Sequence, residues 1–198
     1  MASLIAVDEY YQAQKALRNM PMLRLTNVEL QMAKAVAKMR KDASKGPNTR
    51  TFVPDNDITG ACGEIAFANY MGVPWDWRNK PQGDDGIDFV IGDCTIDVKS
   101  TKGGPDRRLM VVEGQVKADI YVLVLRSPSD SSVVALAGWE EQENIIATPP
   151  EKWKDFVFPN HMIKALRLQP MEELRYRFDP LGGDSVFFSI EDNCSDYF

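Results

Sequence analysis

Apolar residues recur at two different periods along this chain, and the changes between them mark out its elements. Over residues 27–42 (NVELQMAKAVAKMRKD), Leu30, Ala33 and Ala37 fall near helical spacing, with Thr26 or Asn27 placed to cap the first turn. A polar connector, 44–50, carries the turn formers Gly46 and Pro47. A second helix is expected over 57–71 (DITGACGEIAFANYM), capped by Asp57 and closed by Gly72. Gly60, Ala61, Gly63, Ala66 and Ala68 make that helix thin, so it can approach a sheet closely. After a loop rich in Trp and Pro over 74–83, the period shortens to that of strands at 87–91, 94–100, 119–125 and 133–137, all rich in β-branched residues. Helices beside strands of this kind predict an α/β layer structure in one domain over 1–198. Its parts are a helical segment to residue 50, a core over 55–140 and an extension over 141–198, where several prolines blur the pattern.

The most informative stretch is DDGIDFVIGDCTIDVKSTK, residues 84–102. Asp84 and Asp85 fit the turn at Gly86, the usual place for Asp before Gly. With Gly92-Asp93 as a two-residue hairpin turn, Ile91 pairs with Cys94, and counting outward sets Asp88 opposite Asp97. Side-chain alternation then gives the hairpin two faces. One holds Ile87, Phe89, Ile91, Cys94, Ile96 and Val98 and reads as core; the other holds Asp88, Val90, Thr95, Asp97 and Lys99 and reads as chemistry or solvent.

Opposed carboxylates on neighbouring strands have Cβ atoms roughly 4.5–5.5 Å apart and repel each other. A hard divalent cation relieves that repulsion, because Mg²⁺ takes oxygen ligands and is commonly held by one or two carboxylates with water and substrate phosphate. Lys99 lies on the same face as Asp97, roughly 6.6 Å further along the strand. Its ammonium there would orient a water or stabilise charge on a phosphate.

Asp88 followed by Asp97-Val98-Lys99 resembles the D…(D/E)xK signature of the PD-(D/E)XK nuclease superfamily, with Ile87 standing where the motif has proline. Gly63-Glu64 resembles the first-helix glutamate that many members contribute to the metal site. Residues 58–102 carry most of the resemblance; 118–125, 137–139 and 166–174 are similar to later segments of phage-type or restriction-type members. The resemblance implies a restriction-endonuclease-like α/β fold with a central mixed sheet flanked by helices. It also implies phosphodiester hydrolysis with Mg²⁺, or Mn²⁺ as a substitute, at Glu64, Asp88 and Asp97, with Lys99 beside them. Lys102, Arg107 and Arg108 in a Gly-containing loop, and Gln115 after it, are candidate substrate contacts.

Charge changes the picture only locally. The net charge of −6 argues against a surface coated by nucleic acid throughout, yet residues 34–50 carry six basic side chains against Asp42, while 171–198 carry seven acids against Arg175 and Arg177. A polarised molecule of that kind can still draw in DNA, and cutting both strands of a duplex would favour a homodimer. The cysteines, Cys62, Cys94 and Cys194, form no CxxC pair, and His161 stands alone, so neither a zinc cage nor a disulfide framework is expected. Trp75, Trp77 and Trp139 could stack on bases, but tryptophans usually serve the core, and they are given no functional role. No run of about 18 apolar residues occurs, and a cytoplasmic protein without a membrane partner is expected. A catalytically silent, nuclease-like binding module is the alternative to a nuclease.

Overall fold

The computed structural model describes residues 20–43, 54–77, 86–104, 106–153 and 157–179. The connector at 44–50, the Asp84-Asp85 turn and the acidic segment 184–198 lie outside them. After a short strand β1 (Met22–Arg24), the first helix α1 spans Asn27–Ala43. Thr26 is its cap: the Glu29 amide donates to the Thr26 hydroxyl (3.3 Å), and the Thr26 amide donates to the Glu29 carboxylate (2.7 Å). This reciprocal pair satisfies two donors that the first turn would otherwise leave unbonded. Helix α2 (Pro54–Met71) starts earlier than the spacing predicts, at a proline whose missing N–H costs nothing in a first turn. It stops at Gly72, whose φ of +67° lets the Val73 amide reach back to the Ala68 carbonyl (3.0 Å).

The remaining elements are β2 (Phe89–Ile91), β3 (Cys94–Lys102), β4 (Arg108–Val112), β5 (Ile120–Arg126), β6 (Val133–Glu141), α3 (Gln142–Ala147), β7 (Asn160–Lys164) and α4 (Met171–Phe178). Five strands form a mixed sheet in the order β1-β6-β5-β3-β2, in which only β3 and β5 run parallel. A parallel pair needs a crossover connection, usually helical. Here the connection passes instead through β4, which pairs with β7 in a separate two-stranded ribbon.

The sheet has a core on each face. Ile96, Val98, Ile120, Val122 and Val124 pack against Ala61, Cys62, Ile65 and Ala66 of α2 on one side. Tyr121, Leu123 and Leu125 pack against Leu109 and Val111 of β4 and Ile145 of α3 on the other. All seven residues of β5 are therefore buried. A bulge in β6 shifts its register between Leu123 and Val124 and turns Trp139 onto the helical face with Val134 and Leu136. Gly138 makes the bulge possible: its φ is +144°, and a Cβ there would lie 2.6 Å from the Gln169 carbonyl oxygen.

Helix α2 approaches β3 as closely as its small residues predict. A Cβ on Gly63 would sit 1.8 Å from the Ser100 hydroxyl oxygen, 2.9 Å from Ser100 Cβ and 3.3 Å from Val124 Cβ, so rotating Ser100 alone would not clear it. Gly63→Ala is expected to destabilise the fold by about 1–3 kcal/mol. Adding Ser100→Gly should recover part of that loss, as urea unfolding of the single and double variants will show; strict additivity would contradict the contact.

Candidate active site

The hairpin register is the expected one, with Phe89 opposite Ile96, Val90 opposite Thr95 and Ile91 opposite Cys94 around a turn whose Gly92 has φ +61°. The ladder ends at Phe89. Asp88 continues alongside β3 by other bonds: its amide donates to the Ile96 carbonyl (2.9 Å) and its carboxylate accepts the Val98 amide (2.7 Å). The two β3 groups it engages bracket Asp97 in sequence, so Asp88 and Asp97 come together at the point where β2 stops covering β3.

Asp97 is 4% exposed and its carboxylate is 2.6 Å from the Lys99 ammonium, which remains 39% exposed. Both side chains lie on the face of β3 turned away from α2, since Val98 and Ser100 between and beyond them face the helix. Asp97 stands beside Tyr121 and Lys99 beside Leu123 in the parallel register. That face is not open to solvent throughout: β4 and the segment after it cover it, leaving a polar cavity of about 120 Å³. Gly86, Asp97, Lys99, Met110, Val111, Val112, Gln115 and Lys117 line it. Such a volume admits several waters or one phosphate-sized group.

Tyr121 supports the segment that carries Lys117 to the cavity. Its hydroxyl oxygen accepts the amides of Lys117 (2.6 Å) and Ala118 (3.1 Å). Burial raises the phenol above its ordinary pKa, the charge of Asp97 adding to the effect, so the group stays protonated at neutral pH. Further along, Asp119 joins the start of β5 to β3 by accepting the Thr95 amide (2.8 Å) and hydroxyl (2.6 Å), and these bonds hold its carboxyl below the usual range.

Glu64 is placed elsewhere. It is 6% exposed and its carboxylate takes two bonds from the Arg40 guanidinium (2.7 and 2.8 Å) and one from the Trp75 indole (3.0 Å), joining α1, α2 and the chain after α2. The structure does not bring it together with Asp88 and Asp97. Among the described residues no three His, Cys, Asp or Glu side chains form a set able to hold a metal ion. Asp97 at the cavity, with Asp88 bonded to the Val98 amide next to it in sequence, is a donor set of the kind that takes one hard divalent cation whose other ligands are water and substrate oxygen.

Of the candidate substrate contacts, Gln115 lines the cavity and Lys102, Arg107 and Arg108 do not. Lys102 lies 3.4 Å from Asp55 of α2, the Arg107 side chain folds over Gly103, and Arg108 stacks on Trp153 at 4.8 Å. His161 is buried and bonded to the Thr148 carbonyl (2.6 Å), a structural role, and Trp139 is buried with its indole on the Pro170 carbonyl (3.0 Å). Lys117 and Met110 are lining residues that the sequence reading missed. Alternation in Arg108–Val112, with Leu109 and Val111 buried, was the available signal for β4. Comparison of the chain with protein-family models, curated proteins and solved structures finds no match.

Proposed function

We propose that the chain is a metal-dependent nuclease that hydrolyses DNA phosphodiester bonds at Asp88, Asp97 and Lys99, on a restriction-endonuclease-like variant of its mixed α/β sheet. The observation that carries this reading is the buried Asp97 paired with Lys99 at the wall of a polar cavity, with the Asp88 carboxylate fixed on the amide of the residue between them, Val98. A bound Mg²⁺ would polarise the phosphoryl oxygen and make its water more acidic. Asp88 and Asp97 would hold it, and both are pre-oriented, Asp88 by the Val98 amide and Asp97 by its place on a strand between two cores. Lys99 has three N–H donors, enough to keep its bond to Asp97 while offering another to a non-bridging phosphate oxygen as charge builds there. A cavity this small, well below the size of sites that enclose whole ligands, favours a phosphate presented on a polymer backbone over a free nucleotide.

One observation favours the alternative, a silent binding module: Glu64 and Asp97 already have cationic partners, Arg40 and Lys99. Calorimetric titration with Mn²⁺ and Mg²⁺, with and without a DNA duplex, separates the two. The nuclease reading expects an ion to bind with affinity reduced at least about tenfold in Asp97→Asn and in Asp88→Asn, the size of a lost charged ligand. Absence of binding, or equal binding by the variants, would favour the silent module. Among the described residues no helix is long and apolar enough to cross a membrane. The proposed partner is nucleic acid.

A further inference from the structure

In the cavity lined by the acid-lysine pair, the chain between β4 and β5 presents two polar side chains that the chemistry above does not use, Gln115 and Lys117. Lys99 has Asp97 as its partner, whereas among the described residues no acid pairs with the Lys117 ammonium. The aliphatic stem of Lys117 runs toward the segment leading into Asp88: its Cδ lies 3.9 Å from where a Cβ on Gly86 would stand. Lys117 is thus an exposed residue that lines the cavity and extends toward the segment before Asp88.

The backbone beneath that side chain is held from below. Tyr121 accepts both the Lys117 and Ala118 amides on one phenolic oxygen, while its ring packs in the core between the sheet and β4. The Gln115 amide is anchored separately, on the Val112 carbonyl (3.0 Å). A lysine on a free loop contributes a diffuse charge; one whose backbone is clamped to a core tyrosine presents it at a fixed place.

We infer that Lys117 is a substrate-contact residue for a backbone phosphate next to the one hydrolysed, and that Tyr121 is its positioning residue. The inference rests on the nuclease reading and adds to it a second lysine in the cavity that Asp97 and Lys99 line. Two lysines, Lys99 and Lys117, line one cavity together with Asp97, and a second cation there matches a ligand carrying repeated negative charges.

The test is equilibrium binding of a labelled DNA duplex and a labelled single strand across a series of KCl concentrations, in chelator so that no cleavage intervenes. Wild type is compared with Lys117→Ala, Lys117→Arg, Tyr121→Phe and the Lys117→Ala/Tyr121→Phe double variant. Lys117→Ala is expected to weaken binding about tenfold, the size of one charge-assisted contact, and to reduce the salt slope by roughly 0.7–0.9, one phosphate's share. Lys117→Arg should restore the slope. Tyr121→Phe should lose part of the same slope, and add nothing to the binding loss once Lys117 is alanine. A merely structural tyrosine would lower thermal stability and leave the slope alone. Wild-type cleavage with metal combined with unchanged binding and slope in Lys117→Ala would overturn the inference and leave the nuclease standing. A wild-type chain that neither binds nor cuts any nucleic acid would overturn both.

Discussion

Lys99→Ala is expected to reduce metal-dependent DNA cleavage at least about 100-fold, the loss typical of removing one preorganised group that meets charge developing in the transition state. The fold should survive, because the Lys99 side chain is 39% exposed at the cavity and takes no part in either core. Removing it takes from Asp97, 4% exposed, the ammonium 2.6 Å away. A modest stability loss is therefore expected in the absence of metal, partly recovered when a divalent ion neutralises the carboxylate. Single-turnover cleavage at saturating metal, together with thermal unfolding with and without Mg²⁺, checks both halves. A variant that folds and cuts at the wild-type rate would remove Lys99 from the chemistry.

The second large effect concerns Glu64. Arg40→Ala leaves its buried carboxylate with only the Trp75 indole, and the expected cost is about 2–3 kcal/mol, below that of a fully buried pair because Arg40 is 36% exposed. For a chain of this length that is a fall in Tm of roughly 4–12 °C. Glu64→Gln keeps an acceptor for Trp75 and should lower Tm less, with the cleavage rate near wild type. For Glu64 to serve as a metal ligand it would have to exchange Arg40 and Trp75 for the ion. A rate loss of about 100-fold in Glu64→Gln without a change in Tm would show that this exchange takes place.

How far the sequence could be read follows from the range of each interaction. Thr26 with Glu29, and Gly72 after Met71, are local devices, and both helices were legible from them. The Gly92 turn fixed the hairpin register, and the small residues around Gly63 foretold the close approach of α2 to β3. Pairing between distant segments was not legible. Met110 of β4 meets Met162 of β7, and Met22 of β1 meets Ala135 of β6, through backbone bonds that leave no motif behind. For the same reason the polar face of β3 read as open, when β4 covers it and creates the cavity. The candidate site divides likewise. Asp88, Asp97, Lys99 and Gln115 were singled out by a short motif and spacing, but Lys117 depends on the Tyr121 bonds, and the Arg40 partner of Glu64 depends on packing between α1 and α2.

The most direct test is incubation of the purified wild-type chain with plasmid, linear duplex, single-stranded DNA and RNA, each with Mg²⁺, with Mn²⁺ and with chelator, beside Asp97→Asn. Cleavage of DNA that needs the metal and disappears in Asp97→Asn is the predicted result. Cleavage that persists in chelator or in Asp97→Asn, or no cleavage of any substrate by the wild type, would contradict it.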